Sequence, residues 1–170
     1  VQRQWFRKDE AFDARLREDF GATIAAARAG RLDRWADTAE GRLALLIVLD
    51  QFTRNAFRGQ PDSFAGDAQA LALALRGIEL GHDQAVPPLA RMFCYLPLEH
   101  AEDLVLQERS VALFAALREA PGAEPRATYD SLLEYAHKHR EVIARFGRFP
   151  HRNAILGRAS TAAELDYLAQ

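Results

Sequence analysis

Apolar and polar positions along this chain alternate with the period of an α-helix, and no stretch sustains the period of a β-strand. In residues 9–29, Phe12, Leu16, Phe20, Ile24 and Ala27 recur at steps of four and three, which places them on one stripe. Asp9 and Glu10 suit the positive end of the helix dipole. Trp5 and Phe6 precede this helix and are expected to fold back onto the core. Asp37 and Glu40 read as a capping box. The helix they open carries the run 43–49, LALLIVL, which is apolar on every face and so predicts a buried central helix. Residues 64–80 predict a helix with Ala68, Leu71, Ala72, Leu75 and Ile78 inward. Pro87 and Pro88 open a short helix over 89–95. Pro97 reads as the start of a long helix reaching about Glu119. Its expected core side is Leu98, Ala101, Leu104, Val105, Ala112, Phe114 and Ala115, and Glu99, Asp103, Gln107 and Ser110 form a neighbouring polar stripe. The last long helix spans 128–146, with Leu132, Ala136, His139, Ile143 and Phe146 on one line. Thr161 and Glu164 form a capping box for a final short helix.

The expected fold is therefore all-α, with short connections that favour stacked antiparallel α-hairpins. The linker 121–125 is too short to separate domains, so residues 1–170 are expected to form a single domain. Composition narrows the function classes. Apolar residues at 49% exclude a disordered chain, and a net charge of −2 gives no general attraction to nucleic acid or anionic lipid. No apolar run approaches the roughly 20 residues of a membrane span. The lone Cys94 excludes an internal disulfide and suits a reducing compartment, so a cytoplasmic location is expected. The chain opens at Val1 without Met, and a segment ahead of it is left open.

Chemistry concentrates in residues 137–158. His137, His139 and His151 stand there among Lys138, Arg140, Arg145, Arg148, Arg152 and Arg158. Two segments echo each other: 50–59 reads DQFTRNAFRG and 147–157 reads GRFPHRNAILG. Each follows an apolar helix and carries Phe, then Arg-Asn-Ala, then Gly. Arginine offers a planar fork of donors suited to carboxylate or phosphate, and asparagine offers both a donor and an acceptor. Arg54, Asn55 and Arg58 in one loop, with Arg148, His151, Arg152 and Asn153 in the other, are candidates to converge on an anion. The structural alternative has each Asn in a left-handed turn while each Arg ties down free carbonyls or an acid. Asp50, at a helix C-terminus that disfavours a carboxylate, needs a partner, and Arg54 four residues on is the nearest. His139, His100 and Glu99 are the acid–base candidates. No metal and no cofactor are expected. His137 and His139 diverge on a helix, and His137 with Glu141 is only one pair. Cys94 lies in an apolar run and Ser110 has no evident base. The basic run lacks the interleaved aromatics of a single-strand binder, so no nucleic-acid partner is expected.

Three long segments carry a likeness. LDQFTRNAFRG at 49–59, YLPLEHAEDLVLQERSVALF at 95–114 and YAHKHREVIARFGRFPHRNAILGR at 135–158 together resemble the DUF924 family of uncharacterised bacterial proteins. The likeness runs through nearly the whole chain. It implies a tetratricopeptide-like superhelical stack of α-hairpins and no established activity. Two departures stand out: Thr53 stands where the family pattern has Pro, and the aromatic-rich segment ahead of Trp5 is shortened or absent.

Three functional expectations follow. The first is a pocket for a small anion or acidic peptide, held by Arg54, Arg148 and Arg152, oriented by Asn55 and Asn153, with Glu99 and His139 or His100 placing a polar group. The second is an enzyme with hydrolase-like acid–base chemistry in the same pocket. The third is a protein-binding scaffold with purely structural polar motifs. The oligomeric state is left open.

Overall fold

The computed structural model describes residues 9–123 and 125–170, and among them every regular element is helical. The expectation for Trp5 and Phe6 lies outside the described residues. Helix α1 is Glu10–Arg28, capped by Asp9, whose carboxylate accepts from the Phe12 N–H. Helix α2, Ala39–Leu46, runs without a break through a wide π-helical turn, Ile47–Phe52, into a short helix α3, Thr53–Ala56. Helix α4 is Asp67–Glu79, α5 Pro88–Glu99, α6 Leu104–Arg118, α7 Arg126–Phe146 and α8 Ala162–Leu168. Neighbours in sequence pack as neighbours from α4 to α7, and the π turn touches α1, α4 and α5. Leu45, Leu46, Leu49, Met92, Leu98 and Phe114 are almost wholly buried around it. No described helix is long and apolar enough to cross a membrane.

Several boundaries differ from the sequence expectation. The cap of α2 is Thr38, which accepts from the Gly41 N–H, because Asp37 is used up in a 3-10 turn. The segment 64–80 begins as a 3-10 turn, and α4 starts only at Asp67. Its most buried line is Ala70, Ala74 and Gly77, while Ala68 and Ala72 face solvent. At Gly77 the small residue makes room for the Arg42 side chain of α2. A Cβ at Gly77 would stand 2.6 Å from the Arg42 side chain. Phe20 is 41% exposed, though its ring meets Phe52.

The largest difference is at Pro97, which sits inside the last turn of α5 instead of opening a new helix. The new helix is opened by Asp103, whose carboxylate accepts from the Leu106 N–H. Gln107 reaches back to accept the burden of the broken end: its amide donates to the carbonyls of Glu99 and Ala101, 2.6 and 2.8 Å away. The supposed polar stripe is thus partly internal, with Glu99, Gln107 and Ser110 all buried, while Leu104, Val105 and Ala112 are exposed. His100 stands at a helix end and not a helix start.

Candidate active site

The π turn, the end of α5 and the segment after α7 meet at one polar cluster. Asp50, in the π turn, is 2% exposed. Its Oδ1 lies 2.7 Å from His100 Nδ1 and 3.3 Å from the Arg54 guanidinium, and its Oδ2 accepts from the Gln51 amide at 2.5 Å. Burial works against this carboxylate. His100, Arg54 and Gln51 outweigh burial and hold its pKa down at about 2. An ionised Asp50 only accepts, so His100 Nδ1 carries a proton and Nε2 carries the lone pair. His100 is itself pushed below its ordinary range, first by burial and then by Arg54.

The His139 ring stands 6.2 Å from the His100 ring. Its Nδ1 lies 2.9 Å from the Tyr135 carbonyl and 3.1 Å from Glu99 Oε1. A carbonyl cannot donate, so Nδ1–H is again the donor and Nε2 the free base. Although close, Glu99 and His139 are not an ion pair near neutral pH. Burial and then the Asp50 charge push Glu99 up to about 8, and burial pushes His139 down to about 4. Both therefore sit neutral beside one another. The Glu99 carboxyl is held protonated by the fold, so its contribution is present below its ordinary pKa and is lost as pH rises toward about 8. Wild-type stability to urea should fall by roughly 2–3 kcal/mol between about pH 6 and about pH 9, and Glu99→Gln should remove most of that slope.

Arg54 and Arg152 converge from opposite ends of the sequence on Asp67, at the start of α4. Arg54 grips it with two hydrogen bonds of 2.9 and 3.1 Å, and Arg152 reaches it at 3.4 Å. Arg152 also donates to the His100 carbonyl at 2.9 Å, and its guanidinium lies between the rings of Phe64 and Phe149 at 4.7 and 4.6 Å. Burial, and then Arg54, lower its pKa to about 10. Its Nε is buried without a partner.

Residues 1–170 match DUF924, bacterial proteins of unknown function, over the whole chain. The chain belongs to this family. No curated protein matches it. A solved structure of a protein of unknown function from Agrobacterium tumefaciens is 43% identical, with a TM-score of 0.87, covering 97% of this chain and 88% of that one.

In this DUF924 chain the residues singled out from sequence divide among separate clusters. Arg54 and Arg152 meet at Asp67, beside His100, His139, Glu99 and Asp50. Arg58 turns away to Asp13, with bonds of 2.7 and 3.2 Å, and also donates to Asn55. Arg148 lies in a two-bond grip on Glu164, which holds that carboxylate well below its ordinary range. Asn153 is buried and bonds Ser160 and Arg158, and His151 is exposed beside the Phe149 ring. Neither asparagine is left-handed: every described residue with positive φ is a glycine. Arg54 and Asn55 lie on a helix, while the arginines do tie down acids and carbonyls, as the structural alternative expected.

Three contributors were not read from sequence. Asp67 and Phe64 lie in a stretch read only as helix. Glu102, gripped by Arg158 and accepting from the Phe149 N–H, lies in a segment read as helix interior. The available signal was that each buried arginine needs an acid, which does not say which acid. Among the described residues no group of three or more His, Cys, Asp or Glu is placed to hold a metal ion. Cys94 is 6% exposed, and burial pushes its thiol up to about 12. It should react with a thiol reagent at least about a hundredfold more slowly in the native protein than in urea, as a kinetic assay with a chromogenic disulfide would measure.

Proposed function

We propose that the protein is an enzyme whose acid–base site is the Asp50–His100 pair together with His139 and Glu99. The observation that carries this reading is the pairing of two imidazoles, 6.2 Å apart, each held through Nδ1. Neither Nε2 has a hydrogen-bond partner among the described residues. In this reading Asp50 fixes the tautomer and orientation of His100, which takes a proton through Nε2. Glu99, neutral below about 8, is the acid, and His139 is the second proton acceptor. Perturbed groups gathered at one place favour a catalytic site over a structural one.

The substrate class we favour is uncharged and polar. The charges of Arg54 and Arg152 are balanced by Asp50 and Asp67, while Arg58 and Arg148 have Asp13 and Glu164. A small anion or an acidic peptide would have to displace one of these carboxylates. The frame we propose is a tetratricopeptide-like stack of hairpins, in keeping with the consecutive packing of α4 to α7, and a cytoplasmic setting suits the free Cys94. The test is turnover of a panel of uncharged esters and amides by the purified chain. The expected result is hydrolysis that His100→Ala lowers by roughly 10²–10⁴-fold, with a rate that falls as Glu99 ionises. No turnover across the panel, or turnover untouched by His100→Ala, would contradict it.

A further inference from the structure

On the other side of the π turn lies a groove that the acid–base cluster does not use. It holds about 280 Å³ and is lined by Phe12, Leu16, Ile47, Phe52 and Phe93, with Gln51 and Asn55 as its polar members. That volume is at the small end of ligand pockets. The two amides stand four residues apart, so they share one side of the helix.

Charged neighbours fix which way each amide faces. Gln51 donates its NH₂ to Asp50 Oδ2, and because Asp50 is ionised the reverse orientation is excluded. Gln51 Oε1 is left as a free acceptor. Asn55 Oδ1 accepts from the Arg58 guanidinium at 3.3 Å, which leaves the Asn55 NH₂ as a free donor. Neither free group makes a hydrogen bond within the described residues. Among its apolar walls the groove thus has one residue with an unused acceptor and one with an unused donor.

We propose that this groove is a binding site for a small uncharged amide with an apolar or aromatic body. The ligand's carbonyl accepts from Asn55 and its N–H donates to Gln51, while its body lies against Phe12, Leu16 and Phe52. A charged ligand is disfavoured, because the walls would strip its hydration without supplying a counter-charge. The proposal does not depend on His100 being catalytic.

The test is a titration of the full chain with benzamide, following the side-chain NH₂ signals of Gln51 and Asn55 by ¹H–¹⁵N NMR. Benzoate, methyl benzoate and toluene serve as comparisons. The expected result is a saturable shift of both signals with benzamide, at least about fivefold weaker with each comparison compound and weakened to a similar extent by Asn55→Ala. No saturable shift with benzamide overturns the proposal. So does a comparison compound that binds as tightly, or an affinity untouched by Asn55→Ala. Because the readout is binding at the groove, its failure leaves the acid–base reading standing, and the reverse holds for turnover.

Discussion

Arg152→Ala should lower the stability of the protein by about 3 kcal/mol or more, with an unchanged denaturant slope. Arg152 is 7% exposed, and its guanidinium joins Asp67 to the His100 carbonyl and fills the space between Phe64 and Phe149. Removal leaves a partly buried carbonyl without its donor and a gap between two rings. One effect works the other way, since Arg152 crowds Arg54. That repulsion is the smaller effect, because Arg54 keeps both Asp50 and Asp67 as partners. Arg152→Lys should recover little, as an ammonium cannot reproduce the flat contact with the rings and the fork of donors together. Urea unfolding of the three proteins measures this, and a stable Arg152→Ala would show that the residue is held ready for a ligand.

Gly66→Ala should be about as damaging, at roughly 3 kcal/mol or more, and for a backbone reason. A Cβ at Gly66 would stand 2.2 Å from the Leu49 carbonyl oxygen. That carbonyl has no freedom to retreat, because it accepts from the Thr53 hydroxyl at 2.6 Å inside the π turn. Gly66→Ala therefore pushes apart the start of α4 and the turn that carries Asp50. Gly21→Ala is the matching control. Its Cβ meets nothing within 4 Å in the middle of α1, so it should stabilise by about 0.5–1 kcal/mol. Opposite signs for the two glycines in one unfolding series would support the close approach, and two neutral results would contradict it.

Periodicity was a good guide where one residue's neighbours along the helix decide its place. The α1 stripe of Leu16, Ile24 and Ala27, the burial of Leu45, Leu46 and Leu49, and the Thr161–Glu164 cap all depend on spacing within one or two turns. It misled where a distant contact decides. In α4 the buried line is Ala70, Ala74 and Gly77, with the Arg42 side chain against Gly77, which no local pattern encodes. At Pro97 the proline suggested a helix start, but the real start was marked by Asp103, and Gln107 makes the break tolerable by satisfying the carbonyls it frees. The site was legible as a set of residue types more than as a geometry. Asp50, Arg54, Glu99, His100, His139 and Arg152 are gathered together, whereas Arg58, Arg148 and Asn153 serve local ties to Asp13, Glu164, and Ser160 with Arg158. Asp67 joins Arg54, 13 positions before it, to Arg152, 85 positions after it, and an ion pair at the longer separation leaves no mark on spacing.

Two neutral imidazoles, both protonated at Nδ1, are expected to stand edge-on to each other beside a protonated Glu99. Long-range ¹H–¹⁵N NMR of the histidine rings reads this directly, with His100→Ala and His139→Ala to assign the signals. The expected result is the Nδ1–H tautomer for both rings near pH 7, with His139 gaining charge only as the pH falls toward about 4. A charged ring at neutral pH, or an Nε2–H tautomer at His100, would contradict it.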